Sequence, residues 1–166
     1  LNVLWLTHSV SPAHEKFITN LIRRKLMCAI DKEPVDTQKE SAKFLLYLPE
    51  GESQELTLLF MHYLLRSRHQ KVVYLGANTS LADLRDACQP FHPDYVFTIL
   101  QEPLARQSVQ TYIDNAAHIV TSGRLLLSGA QLFVNPVKMP ANAQVLGGLP
   151  DTLQFLDGLE LKQRVG

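Results

Sequence analysis

The clearest pattern in the chain is an alternation, from residue 42 onward, of short apolar runs with stretches of helical periodicity. Short continuous apolar runs are typical of strands that are buried on both faces of a parallel sheet. Five such runs are present, at 44–48, 72–75, 95–100, 125–127 and 145–146. This alternation predicts an α/β fold with a doubly wound, five-stranded parallel sheet.

The stretches between these runs predict helices. Ser80 is followed three residues later by Asp83, a spacing typical of a capping box, and this helix is predicted to end near Pro90. A last helix is predicted from about residue 152 to residue 159. Two further helices are marked by apolar residues at helical spacing: Leu56, Leu59, Phe60, Tyr63 and Leu64, and then Val109, Tyr112, Ile113, Ala116 and Ala117.

The N-terminal 31 residues have a helical pattern of their own. Ser11 and Pro12 form a helix start signal, and Glu15 follows in the first turn. Apolar residues mark two sides of this helix, which predicts packing between two neighbours or against another copy of the chain. These residues are Phe17, Leu21 and Cys28 on one side and Ile18, Ile22, Leu26 and Ala29 on the other. The polar stretch 32–41 predicts a boundary between a helical cap (1–40) and an α/β domain (41–166).

Composition narrows the classes of function. The 166 residues include 16 basic and 16 acidic side chains, so this segment is not predicted to grip a nucleic-acid backbone itself. No apolar run has the length of a membrane span. Cys28 and Cys88 have no partner spacing, which favours reduced thiols and a cytoplasmic protein. The chain begins with Leu, and we interpret it as part of a longer polypeptide.

Ligands of doubly wound sheets bind beyond the carboxyl ends of the strands, where the strand order reverses. Small and polar segments lie at the predicted strand ends, at 50–54, 76–79, 98–101 and 128–131. No phosphate loop, dinucleotide fingerprint, histidine pair or nucleophile elbow is present in the sequence. The third strand also lacks the terminal Asp that a phospho-receiver domain needs. We therefore predict a ligand-binding module without catalytic residues or a metal site, and not an enzyme.

A known family pattern fits these strand ends. Glu52-x-Gln54-x-x-Thr57, the stretch Thr98-Ile99-Leu100, and Ser128-Gly129 resemble, in order and spacing, the cobalamin-binding pattern Asp/Glu-x-His-x-x-Gly, Ser-x-Leu or Ser-x-Thr, and Gly-Gly. Upstream, Trp5, nine residues and then Glu15-Lys16 resemble the Trp-x9-Glu-His element of light-sensing, MerR-type transcription regulators. The resemblance covers nearly the whole chain.

The resemblance implies a flavodoxin-like sheet domain preceded by part of a helical bundle. It implies an effector domain that binds DNA through a separate N-terminal winged helix, assembles into homo-oligomers and answers a small-molecule effector. The cofactor-contacting positions that it implies are Trp5, Glu15, Lys16, Glu52, Gln54, Thr57, Thr98, Leu100, Ser128 and Gly129.

Four of these positions depart from the family pattern. Gln54 replaces the histidine that binds cobalt, Thr57 and Ser128 replace glycines, and Lys16 replaces the histidine of the cap. A carboxamide nitrogen has no free lone pair for a metal, and Glu52 would have no histidine to orient. We therefore predict no cobalamin held through a histidine. Two alternatives stay open, which are a sensor that binds cobalamin with its own base on cobalt and a corrinoid-carrying methyltransferase subunit.

Overall fold

The structure is a computed structural model that describes residues 11–34 and 41–165, with side chains up to residue 159. The helices are α1 (Pro12–Lys32), α2 (Glu55–Arg66), α3 (Leu81–Phe91), α4 (Val109–Ile119), α5 (Gln131–Val134) and α6 (Leu149–Val165). The strands are β1 (Lys43–Pro49), β2 (Lys71–Thr79), β3 (Tyr95–Ile99), β4 (Arg124–Ser128) and β5 (Ala143–Val145).

The five strands form one parallel sheet in the order β2-β1-β3-β4-β5. The chain passes from β1 to β2 on one side and then crosses to β3 on the other, so the strand order reverses between β1 and β3. The predicted doubly wound fold is confirmed. The reversal also locates the crevice in which such sheets bind ligands, between the loop after β1 and the loop after β3.

The sheet is buried on both faces, which explains why its strands are continuous apolar runs. Leu45 and Tyr47 of β1 point to one face, where they pack with α3 and α4. Phe44, Leu46 and Leu48 point to the other face, where they pack with α2 and α6. All five side chains are fully buried. Ser80 and Asp83 form the predicted capping box at the start of α3.

Helix α1 lies outside the sheet and runs parallel to α2. Arg23 Nη2 of α1 donates to Glu55 Oε2 at the start of α2, at 2.6 Å. At the other end of the pair, Arg66 Nη2 of α2 donates to the carbonyl oxygen of Glu33 at 2.8 Å. The part of α1 that precedes Arg23 therefore extends about 16 Å past the start of α2, at 1.5 Å per residue. It projects beyond the carboxyl edge of the sheet.

Several details differ from the sequence predictions. Phe17 is 68% exposed and Leu21 is exposed too, so this predicted apolar side of α1 is not covered by the residues described. The helix α5 was not predicted, and α6 is longer than expected at both ends. The strand β3 ends one residue early, at Ile99. The division into residues 1–40 and 41–166 stays a prediction, and none of the described helices is long and apolar enough to cross a membrane.

Candidate ligand site at the carboxyl edge of the sheet

Glu52 occupies the crevice between the loops that follow β1 and β3. Its Oε2 accepts hydrogen bonds from the backbone N–H groups of Gln101 (2.7 Å) and Glu102 (3.0 Å). Its Oε1 accepts from the N–H of Ser53 at 2.9 Å. The residue is only 8% exposed. This carboxylate has no histidine to orient, and it holds the loop after β3 in place instead.

A second set of bonds joins the loop after β3 to the loop after β4. The side-chain Oε1 of Gln101 accepts from the N–H of Ala130 at 3.1 Å. In return, Gln131 donates from its Nε2 to the carbonyl oxygen of Gln101 at 3.2 Å. Sequence reasoning placed both glutamines at strand ends but assigned them no role. The loops after β1, β3 and β4 are thus joined by the side chains of Glu52, Gln101 and Gln131.

Gln54, at the position of the family's metal-binding histidine, immediately precedes α2. Its side-chain Oε1 accepts from Thr57 Oγ1 at 3.3 Å, and Thr57 itself is exposed. The amide oxygen is therefore engaged within the first turn of the helix. The amide nitrogen is a donor only and offers nothing to a metal.

Gly129 has a structural reason to be glycine. Its φ is +114°, and an added Cβ would lie 2.3 Å from the carbonyl oxygen of Leu100. The N–H of Leu100 donates to the carbonyl oxygen of Ser128 at 2.7 Å, which extends the pairing of β3 and β4 by one bond. Leu100 is fully buried. The Ser128-Gly129 step therefore brings the two backbones together, and the space over it is filled by the chain itself.

Thr98 lies deeper than the other predicted site residues. It is fully buried in β3, where its hydroxyl lies close to that of Tyr47. Nearby, Tyr112 Oη donates to Tyr47 Oη at 2.8 Å between α4 and β1. Burial raises the pKa of both tyrosines well above the usual range, so both stay neutral. These groups form part of the core beneath the loops.

The remaining predicted positions belong to the N-terminal part of the chain. Glu15 and Lys16 lie near the start of α1, in the part that projects beyond the carboxyl edge. Glu15 is half-buried and Lys16 is exposed. Trp5 falls outside the residues described. Five of the predicted site residues thus lie at one edge of the sheet, and these are Glu52, Gln54, Leu100, Ser128 and Gly129. Thr57 lies one turn into α2, and Thr98 lies below the others.

Open spaces lie near opposite edges of this sheet. A cavity of about 230 Å³ at the carboxyl edge lies between the loops after β1 and β3 and the start of α3, and it includes Glu50, Ser80 and Arg106. Arg106 Nη1 lies 3.7 Å from Glu50 Oε2 across it. A wider groove of about 820 Å³ lies near the opposite edge, between the ends of α3 and α4.

The residues at the carboxyl edge do not fit a corrin held through a protein ligand. Gln54 supplies no nitrogen lone pair, and Glu52 is engaged with backbone amides. Within 11–34 and 41–159, no three His, Cys, Asp or Glu side chains are grouped so that they could hold a metal ion. Any cobalamin bound here would need another source of axial coordination.

No family model matches the chain, and no curated protein sequence matches it. Solved structures do. The structure of the methanol:cobalamin methyltransferase complex MtaBC from Methanosarcina barkeri matches 95% of this chain and 61% of its own, with a TM-score of 0.58 and 12% identity. A cobalamin-binding protein from Desulfitobacterium hafniense DCB-2 matches 76% of this chain and 59% of its own, with a TM-score of 0.45 and 18% identity.

A third match is the anti-anti-sigma factor PhyR from Bartonella quintana, with a TM-score of 0.46, 12% identity, and coverage of 85% of this chain and 53% of that one. This chain therefore spans about three fifths or less of the length of each structure that it matches. At such identities a match shows only the fold. The fold comparison rests on the methyltransferase complex, because its TM-score is the highest of these three. The chain has the flavodoxin-like, five-stranded α/β fold of a cobalamin-binding domain.

Proposed function

We propose that this chain is a non-enzymatic sensory and oligomerisation module of a MerR-type transcription regulator that no longer binds cobalamin through a protein ligand. The observation that carries the proposal is the Glu52 carboxylate bound to the amides of Gln101 and Glu102. In the family pattern the acid at this position orients the histidine. Here the acid stabilises the protein's own loop instead.

The loop after β1 is therefore ordered without a cofactor. Glu52 makes three hydrogen bonds to backbone amides, and Gln54 is bound by Thr57. Charge-assisted bonds of this kind are among the stronger ones in proteins. If this loop needed a corrin in order to be ordered, we would expect the Glu52 carboxylate and the Gln54 amide to be free to bind that ligand. This arrangement supports a module that works through its shape and its contacts.

The regulatory context rests on the cap. Glu15 and Lys16 are the last two residues of the stretch that resembles the Trp-x9-Glu-His element, and they lie on the part of α1 that projects beyond the sheet. A formal net charge of zero supports DNA binding through another domain of the same protein. We further propose a homo-oligomer in the cytoplasm that responds to a small effector by shifting the cap relative to the sheet domain.

The second candidate is the corrinoid-carrying subunit of a methyltransferase. It is favoured by one specific observation, the match over 95% of this chain to the methanol:cobalamin methyltransferase complex. That comparison supports the carrier more directly than the regulator. Against the carrier stands Gln54, because an amide cannot tune cobalt as an imidazole nitrogen does.

Incubation with hydroxocobalamin, followed by desalting and absorbance spectroscopy, distinguishes the candidates. We expect colourless wild type, and partial retention of the corrin bands in the double variant Gln54→His/Thr57→Gly. Gln89→His, an exposed substitution on α3, is the matched control and should stay colourless. Wild type that retains a corrin whose cobalt is bound by a side chain would overturn the proposal. Retention by wild type, with a spectrum that Gln54→His then changes, would favour the sensor with base-on cobalamin.

Two further assays separate regulator from carrier. The complete gene product is tested by mobility shift for binding to the promoter DNA of its own gene, and we expect a specific complex. The desalted wild type is tested for transfer of a methyl group from methylcobalamin to a thiol, and we expect none above the rate with free cofactor. Methyl transfer without DNA binding would replace the first candidate by the second.

A further inference from the structure

We propose that the groove of about 820 Å³ between α3 and α4 is a second binding site, and that its ligand is a small amphiphilic organic anion. Such a molecule joins an apolar body to one carboxylate, sulfonate or phosphate group. The groove lies near the edge of the sheet opposite the crevice to which the cobalamin pattern points. Binding there is therefore independent of cobalamin and of DNA, and only its meaning as an effector site rests on the proposed sensory role.

The size and length of the groove suit a small organic molecule. Sites for such ligands commonly measure about 300–1,000 Å³, and this groove lies within that range. On α3 it is lined by Leu81, Arg85, Cys88 and His92, whose spacing of three or four residues places them on one side of the helix. From Leu81 to His92 the helix rises about 16 Å, at 1.5 Å per residue. The groove can therefore hold an extended molecule along α3.

The floor of the groove is apolar. It contains Leu81 and Cys88 of α3, and Ile119 and Val120 at the end of α4. Cys88 and Val120 are buried. Burial raises the pKa of the Cys88 thiol, so this side chain stays neutral and contributes apolar surface. The floor favours the apolar body of a ligand, because contact with it removes apolar surface from water.

The polar groups that line the groove favour a negative charge. They include the guanidinium of Arg85 and the imidazoles of His92 and His118, and no carboxylate of the described residues belongs to the lining. All three side chains are exposed, and none of them is bound to another of the residues described. An acidic group of the ligand can pair with Arg85 and accept hydrogen bonds from imidazole N–H groups.

The carbonyl groups at the two helix ends are already bound by the protein. At the end of α4, Asn142 Nδ2 donates to the carbonyl oxygens of Ala117 and Val120, each at 2.9 Å. At the end of α3, Lys43 Nζ donates to the carbonyl oxygen of Phe91 at 3.3 Å. These bonds reduce the partial negative charge that a helix C-terminus presents, and with it the repulsion of an anion in the groove.

One end of the groove is closed by tight backbone packing. An added Cβ on Gly123 would lie 2.4 Å from the carbonyl oxygen of Pro93 and 2.7 Å from that of Asp94. The N–H of Arg124 donates to the same Asp94 oxygen at 2.9 Å. The Asp94 carboxylate accepts from the N–H of Lys43 at 2.8 Å, outside the groove. The two turns that bound this end are therefore held together without a ligand.

The inference is tested with anilinonaphthalene sulfonate, which joins an aromatic body to a sulfonate, and with phenylnaphthylamine as its uncharged counterpart. Proton–nitrogen correlation spectra of the ¹⁵N-labelled protein report binding at the amides of Ser122 and Gly123, which line the groove. We expect saturable shifts of both amides with the sulfonate. Arg85→Gln should weaken this binding about fivefold, the upper range for an exposed ion pair. Arg124→Gln removes a nearby exposed arginine outside the lining, so it is the matched control and should keep the wild-type affinity.

Absence of saturable shifts at Ser122 and Gly123, or equal affinity of Arg85→Gln and wild type, would overturn the inference. Equal affinity of the uncharged probe would do the same, because the acidic group would then contribute nothing. The proposed function fails separately. Probe binding in the groove without a DNA complex of the complete gene product contradicts only the regulator, whereas a specific DNA complex without probe binding contradicts only this site.

Discussion

Substitution of Gly129 by alanine tests whether this glycine serves the fold or a cofactor. The added Cβ would lie 2.3 Å from the carbonyl oxygen, 2.5 Å from the carbonyl carbon and 2.8 Å from the nitrogen of Leu100. All three are backbone atoms at the end of β3, so no side chain can rotate to relieve the overlap. The backbone must move, although Leu100 is fully buried and bonded on both sides.

The expected loss is about 3–5 kcal/mol in the free energy of unfolding. A non-glycine residue held at a sparsely populated positive φ costs about 1–3 kcal/mol. Moving Leu100 also weakens its bonds to Ser128 O (2.7 Å) and from Gln131 N (3.0 Å), each worth about 1 kcal/mol net. For a chain of this size, such a loss lowers the melting temperature by about 6–20 °C.

Urea unfolding followed by circular dichroism measures this loss, with two other glycines as controls. Gly51→Ala also lies at a positive φ, +84°, but in open space, so it reports strain without overlap. Gly158→Ala lies within α6, also in open space, and should stabilise by up to about 1 kcal/mol through helix propensity. If Gly129→Ala cost no more than Gly51→Ala, the close approach of β3 and β4 would not be the reason for this glycine.

Two other predictions concern α2 and α1. Burial, with help from the nearby Arg66 charge and against that of Asp31, lowers the pKa of His62 to about 4. As the pH falls, the unfolded chain therefore binds a proton at His62 before the folded chain does. About 1–2 kcal/mol of stability, discounted for partial exposure, is present above about pH 6.5 and is lost towards pH 4. The prediction is contradicted if the urea midpoint of wild type falls no faster over this pH range than that of His62→Gln. Phe17→Glu should weaken self-association at least tenfold by light scattering, whereas Phe133→Glu, equally exposed at 68%, should not; monomeric wild type at high concentration would refute this reasoning.

The sheet was predictable because each strand carries its own signal. A strand buried on both faces needs a continuous apolar run, whatever its neighbours are, and Phe44 through Leu48 satisfy this alone. The sequence also predicted which segments lie at the carboxyl edge of the sheet, because the ends of parallel strands meet at one edge. The helix α5 was missed because a single short turn leaves no periodicity to read.

The bonds of the site were not predictable from side-chain patterns. Glu52 binds backbone amides 49 and 50 residues away, and a backbone N–H has no signature in the sequence. His62 is half-buried, which its sequence pattern does not indicate. It stacks on Tyr74 with ring centroids 5.2 Å apart, a contact that depends on how α2 lies over β2. Periodicity likewise identified two apolar sides of α1 without telling which one would be covered.

The ion pair of Arg23 with Glu55 gives α1 the mechanics of a lever. The pair acts as a fulcrum near the middle of a 21-residue helix, with one arm over α2 and the other arm of about 16 Å in front of the sheet. A tilt of roughly 10° about that fulcrum would carry the tip of the outer arm about 3 Å, while atoms close to the fulcrum hardly move. A small tilt at the sheet edge would thereby become a larger displacement at the start of α1.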